Sequence, residues 1–585
     1  MERKRYWQSI KELNNSEAFK QAEKDEFKED LPFEDLNDKG LLGASTPRRD
    51  FLKYLGFSTA AAVVAASCEV PVRKAVPFVN KPQDVVPGVA DYYATTYVSG
   101  GDAVSIVAKV RDGRPIKIEG NELSTVSHGS TTARVQASVL DLYDTSRLRF
   151  PMQGGKEVST FEALDKMVMQ ELSGPAVLLT GTLNSPTTKQ VIAEFLAKYP
   201  GSRHVQYDAV SYSGMLLANE ASYGRRAIPS YQFGNAKVIV SLGADFLGSW
   251  LNAVEYRKGY TVGRKVDQNK PEMSKHYQFE SFLSMTGANA DDRFTHKPSE
   301  AGAVALALLN AVNGQSVSGV SDKVKKGIEK AAASLLNNKG AALVVSGSNN
   351  VNIQLIVNAI NEAIGANGTT INWAAPLNTR QGIDSDMAAL IADMDAGRVN
   401  ALLVYDANPA YDHYDAGKFK AALKKVKTTV SFNERLDETA ALCKYVVPSH
   451  NFLESWGDAE PKAGYISMIQ PTIAPLFKTR QFQDSLLIWS GNTTTYEAYF
   501  RQYWSAKLGG EQLFQKALQD GVIEPAAPAA SGASYNAAAV SGAVAAVSAM
   551  KKGGKMQMVL YENTAVGDGK QANNPWLQEL PDPIT

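Results

Sequence analysis

The chain has 585 residues, 44% apolar and 21% charged, with 61 basic and 61 acidic side chains. That length exceeds one simple core and predicts about three or four domains. The zero net charge excludes the basic excess of a nucleic-acid-binding surface. Two cysteines, Cys68 and Cys443, are too few thiolates to hold an iron–sulfur cluster in the usual way, and no run of about 20 apolar residues predicts a conventional membrane span.

Residues 1–45 form an extended charged region. Trp7, Ile10 and Leu13 fall at helical spacing before the chain turns acidic through EDLPFEDLNDKG. Residues 46–68 read TPRRDFLKYLGFSTAAAVVAASC. Arg48 and Arg49, followed by Phe51, Leu52 and Lys53 and then a short apolar stretch, resemble a twin-arginine export signal, which carries proteins across a membrane already folded. Ala65-Ala66-Ser67-Cys68 resembles a lipoprotein processing site, which would make Cys68 a lipid-bearing N-terminus. The alternative is an unmodified small cysteine. One lipid chain anchors only marginally, so further chains or a membrane partner would be needed. Residues 69–89 are Pro-rich and predict an extended linker.

The segment 90–154 predicts a small β-rich domain, with strands over 103–110 and 114–120 joined by Asp112-Gly113, a strong hairpin turn. Beyond it, helical and apolar β patterns alternate. Helices are predicted over 161–174, 187–201, 322–338, 350–365, 384–397 and 416–427, and strands over 176–181, 237–243, 341–347, 401–406 and 428–433. This rhythm predicts an α/β protein with two doubly wound parallel sheets, at about 155–270 and 335–455, and domains at 155–335 and 336–490. The remainder, 491–585, predicts a helical and low-complexity segment leading into a C-terminal strand at 554–563.

The chain contains no Walker loop, no H-E-x-x-H, no C-x-x-C and no G-x-S-x-G. The six histidines are scattered. His450, Glu454 and Asp458 could share a helical face and ligate a metal, but Pro and Gly interrupt the stretch and favour a cap-and-turn network. Gly181, Gly243, Gly347 and Asp406 end predicted strands. Their loops would lie at the carboxyl edges of the sheets, where doubly wound folds bind ligands.

Several stretches, taken in order, resemble the molybdopterin oxidoreductase family from about residue 90 onward: VRDGRPIKIEGN (110–121), LYDTSRLRFPM (142–152), NAKVIVSLGADFLGSW (235–250), TGANADDRF (286–294), DANPAY (406–411), ETAALCKYVVPSHNFLESWGDAEP (438–461) and ANNPWLQELPDPIT (572–585). The extended export region and residues 454–481 resemble, within that family, the N-terminal, cofactor-free half of the B subunits of bacterial alternative complex III. The resemblance implies a C-terminal β-barrel domain of which this sequence holds only the beginning.

The departures from the family pattern carry the functional reading. Its cluster cysteines would fall within 92–105 and 125–135, which here read YYATTYVSGGDAVS and TVSHGSTTARV. Its metal-ligating thiolate also has no counterpart; Ser211 and Ser213 lie in the corresponding region. The resemblance therefore implies no catalytic, cofactor-binding or metal residue in this chain. It implies a non-catalytic portion of a membrane-associated quinol-oxidising respiratory complex, scaffolding a cluster-bearing ferredoxin-like segment at the periplasmic face of the inner membrane. Iron–sulfur clusters and c-type haems are expected in the rest of the subunit and in partners, namely quinol-binding membrane subunits and multihaem or monohaem cytochromes c. The alternatives are an active periplasmic molybdenum oxidoreductase and an exported binding protein without a redox role.

Overall fold

The structure, a computed structural model, describes residues 86–266, 271–551 and 553–584. The export-signal residues Arg48, Arg49, Phe51, Leu52 and Lys53, and Cys68, lie outside the described residues.

Three strands, β1 (Ala90–Ser99), β2 (Asp102–Arg111) and β3 (Arg114–Gly120), form an antiparallel meander. Both connections are two-residue turns with positive φ at each position: Gly100 and Gly101 at 56° and 81°, and Asp112 and Gly113 at 51° and 74°. Such turns match the right-handed twist of the flanking strands, which is why Asp-Gly and Gly-Gly occur there. The β-branched run in YYATTYVS makes β1 a strand as well.

The main sheet has seven strands, in the order β5-β4-β16-β15-β14-β6-β7. These are β4 (Met152–Gln153), β5 (Lys156–Glu157), β6 (Ala176–Thr180), β7 (Arg203–Gln206), β14 (Ala401–Tyr405), β15 (Thr428–Asn433) and β16 (Tyr445–Pro448). From β16 to β7 every pairing is parallel, while β4 and β5 add an antiparallel edge. A second sheet is wholly parallel, in the order β11-β10-β9-β12. Its strands are β9 (Val238–Leu242), β10 (Lys275–Glu280), β11 (Asp292–Thr295) and β12 (Ala342–Ser346). An antiparallel sheet, β19-β18-β17-β13-β8, uses β8 (Ile228–Tyr231), β13 (Ile371–Leu377), β17 (Gly457–Lys462), β18 (Tyr465–Ile469) and β19 (Val522–Ile523).

The sheet assignment differs from the sequence expectation. The strands of the main sheet come from both sides of residue 335: β6 pairs with β14, from Ala176↔Ala401 to Thr180↔Tyr405, and β9 pairs instead with β12. The chain leaves the main sheet after β7, builds the second sheet, and returns through the helix Asp384–Asp395 to β14. Local pattern cannot reveal this. AVLLT and ALVVS are both fully buried runs, so each could pair equally well in either sheet.

Helices cover the sheets and begin where side chains can cap them. Thr160, Ser185, Ser321 and Asn350 each accept a backbone N–H of the first turn, and Pro186 occupies the position where no donor is needed. The helices Tyr496–Leu508 and Glu511–Asp520 complete the main-sheet core, where Phe500, Trp504 and Phe514 pack with Leu178 and Val430. The low-complexity segment contains the helix Ala539–Ser548, whose Ala543 and Val547 join the second-sheet core.

The expected strand at 554–563 does not form a ladder. Its alternation is real, since Met556, Met558 and Leu560 are exposed while Gln557 and Val559 turn inward, but no strand lies alongside. Among the described residues the only bridge in this region is Asn563↔Gly567, and no closed barrel occurs.

Candidate functional site: a strand-edge cleft crossed by the C-terminal segment

The parallel strands end in loops that line a set of cavities. In the second sheet, Gly243 (φ 70°) and Gly347 follow β9 and β12. A Cβ on Gly347 would stand 2.3 Å from the Gly243 carbonyl oxygen, so these loops touch only because the residue is glycine. Both line a cavity of about 410 Å³ with Asp245, Glu280 and His296. In the main sheet, Asp406 (φ 52°) follows β14, and a Cβ on the neighbouring Gly181 would meet its carbonyl at 2.7 Å. Asp406, Glu434 and Ser449 line a cavity of about 190 Å³. Asp406 and Glu434 also line one of about 470 Å³.

The two points where the chain crosses between the sheets are tied together by one carboxylate. Asp208 accepts from Thr182 N (3.2 Å), Thr182 Oγ1 (2.7 Å) and Gly382 N (2.8 Å). Nearby, Ser213 accepts from Asp384 N (3.2 Å), and Ser211 accepts from Ser213 N (3.1 Å). Both serines thus serve the backbone at a crossing.

His450, Glu454 and Asp458 share no helical face, and among the described residues no cluster of three metal-ligating side chains occurs. Glu454 closes a capping box with Asn451 on a single turn, Phe452–Glu454, and ion-pairs with the buried Arg147. Burial works to raise the Glu454 carboxyl, but the Arg147 guanidinium and the Leu476 and Asn451 amides hold it below the ordinary carboxylate range. Asp458 accepts from Ser185, Thr187 (3.0 Å) and Trp504 Nε1 (2.6 Å). The His450 ring bonds Thr479 at 2.5 Å, and burial lowers it to about 4.

The stretch 561–574 runs across the cleft as a strap. Tyr561 stacks on Phe282 at 4.6 Å between ring centres, and Glu562 ion-pairs with Arg134 at 2.7 Å. Lys570 donates to the Asp406 carbonyl (3.0 Å) and carboxylate (2.9 Å). Burial opposes its charge, yet Asp406 and Asp568 raise its pKa. Gln571 donates to Ser99 (3.1 Å) and Asn574 to the Ala137 carbonyl (2.8 Å). Sequence reading gave no signal for these pairs, because Arg134 and Glu562 are distant in the chain and each is ordinary locally.

The family that the sequence resembles implies an iron–sulfur cluster held by thiolates, and the donors in the two windows do not fit one. In the first window, Thr95 and Thr96 donate their hydroxyls to the carbonyls of Gln470 (3.1 Å) and Met468 (2.8 Å). In the second, Thr125 donates both its N–H (2.7 Å) and its hydroxyl to the Glu524 carboxylate, which the preceding Ser124 also meets at 3.0 Å. Hydroxyls are poor cluster ligands, and these are already committed to internal bonds. The described cysteine, Cys443, is buried beside β16, where burial pushes its thiol up to about 12 and suppresses the thiolate that ligation requires.

No family model matches the chain. A curated relative from Nitratidesulfovibrio vulgaris, the menaquinone reductase molybdopterin-binding-like subunit, is 23% identical over 507 residues, covering 76% of this chain and 72% of the relative. The solved structure of acetylene hydratase from Pelobacter acetylenicus, a molybdopterin-family enzyme, matches with a TM-score of 0.54 at 12% identity, covering 74% of each chain. The chain has the molybdopterin-oxidoreductase fold, and its sequence is similar to a subunit whose own name calls it molybdopterin-binding-like.

Proposed function

We propose that this chain is a non-catalytic, molybdopterin-like portion of a membrane-associated, quinol-oxidising respiratory complex of the alternative complex III type. The observation that carries the reading is the chemistry of the cleft. Where the fold family places thiolates, this chain has hydroxyls, among them Thr95, Thr96 and Thr125 bound to its own backbone and to a carboxylate, and its strap meets Phe282 after β10 and Asp406 after β14. The similarity to a menaquinone reductase subunit supports a place among respiratory partners. In this reading the chain scaffolds a cluster-bearing ferredoxin-like segment at the periplasmic face of the inner membrane. It is exported folded through the Arg48-Arg49 signal, with Cys68 as a lipid attachment point. Quinol-binding membrane subunits and cytochromes c carry the redox chemistry.

Isolation of the native protein from membranes, with metal analysis, tests this. Co-isolation with haem-bearing subunits and molybdenum far below one atom per chain is expected. Molybdenum at one per chain, or a protein that runs free of every haem-bearing partner on a native gel, would overturn the reading.

A further inference from the structure

A further cavity, of about 410 Å³, lies between the meander and the loop that follows β9, with Thr564 and Gln571 of the strap in its wall. Its walls are mainly aliphatic: Val104 from the meander, Val135, Leu251, Val254 and Met285, with Leu580 and Pro581 on the side of the C-terminal segment. It has room for on the order of a dozen methylene-sized groups.

The charges at its wall are unequal. Arg134 is balanced by Glu562 at 2.7 Å, and Asp102 by Arg380 at 3.3 Å. Arg257 has no ion-pair partner among the described residues. It donates Nε to the Leu247 carbonyl (2.6 Å) and Nη2 to the Gly248 carbonyl (3.0 Å). Both acceptors are neutral. The nearby Asp245 is engaged by Thr286 through N (2.9 Å) and Oγ1 (2.7 Å). Burial lowers the Arg257 pKa, and the attraction of the nearby Asp245 carboxylate, which makes no direct ion pair with it, offsets this only in part. A mostly apolar cavity with a few placed polar groups is the usual form of a small-molecule site.

We propose that this cavity binds a small amphipathic anion, with its aliphatic body against Val104, Val135 and Val254 and its carboxylate on the free face of Arg257. The carboxylate supplies the direct ion-pair partner that Arg257 lacks, and the body removes apolar surface from water. This site does not depend on the respiratory reading, since binding can be measured whichever complex the chain joins.

Decanoate and 1-decanol serve as matched probes, titrated calorimetrically against the full chain. Decanoate is expected to bind once per chain and more tightly than decanol. Arg257→Gln should weaken decanoate by about tenfold, the worth of a charge-assisted hydrogen bond, and leave decanol unchanged. Met285→Trp should fill the cavity and weaken both. Hydrogen exchange with decanoate present should show protection at 248–257 and 580–583, a readout independent of whether either variant folds. No decanoate binding, equal affinity for the two probes, or protection mapping elsewhere would overturn the proposal.

Discussion

At the scale of single residues, much of the chemistry here concerns charge kept out of water. His204 and His276 are both lowered to about 4, chiefly by burial. Their folded pKa values lie below the unfolded value of 6.5, so the neutral ring favours the folded state. The stability this gives is complete above pH 6.5 and is lost as pH falls towards 4. For His276 the loss is roughly 3 kcal/mol over that window. His276→Gln is expected to flatten the fall in urea midpoint between those limits by about one proton's worth of slope. An unchanged slope would show that the ring titrates normally.

The Arg147–Glu454 pair is a second case, since both side chains are fully buried. Removing Glu454 leaves the buried Arg147 with only the longer Glu434 contact at 3.7 Å and strips its two close hydrogen bonds to a carboxylate. Glu454→Ala is therefore expected to lower stability by about 3–5 kcal/mol, measured by denaturant unfolding. Replacing both partners by apolar residues of similar volume should cost much less. Glu454 was visible in the sequence as part of a polar row. Its partner was not, because Arg147 and Glu454 meet only after the main sheet has closed.

At the scale of elements, the decisive features are the strand-edge turns. The Asp112-Gly113 hairpin was legible because two-residue turns demand positive φ, which few residue pairs supply. The terminal glycines were legible as loop positions, but the reason for Gly347 was not. Gly347→Ala would drive a Cβ to 2.3 Å from the Gly243 carbonyl, a backbone atom that cannot swing aside. The expected cost is about 1–3 kcal/mol in thermal or chemical unfolding, whereas Gly154→Ala, where a Cβ meets nothing, should lose only the strain of its positive φ.

At the scale of the whole molecule, the interleaved sheets make the chain mutually dependent over long separations. A fragment spanning 155–335 contains β6 and β7 but lacks their partner β14, and contains β9 without β12. It is expected not to give a cooperative unfolding transition by circular dichroism, because the largely buried β6 and β9 would be left as sheet edges. The strap offers a subtler test. Glu562→Gln with Lys570→Ala removes one ion pair that is nearly out of water, at Arg134, and one that is partly exposed, at Asp406. The expected outcome is faster hydrogen exchange across 562–574 with exchange in β6 and β14 unchanged; uniform protection would mean that packing of Tyr561 and Asn574 alone holds the strap.

The sequence by itself determined the type of the strands and helices it marked between 103 and 433, the α/β class, the family resemblance and the shortage of sulfur donors. These are local or compositional properties: strand and helix periodicities are written within a few turns, and a thiolate is either encoded or not. It gave the apolar runs no partners, and it gave the alternating pattern at 554–563 no neighbour, so the order of strands and the fate of that segment were open. Only the tertiary structure decided which buried strand lies beside which, that Arg134 meets Glu562, and that Arg257 lines a cavity without a direct ion-pair partner. The physical reason is that hydrophobic burial is non-directional: it specifies that a strand be covered, while register and long-range charge pairing are fixed only by the packing of the whole chain.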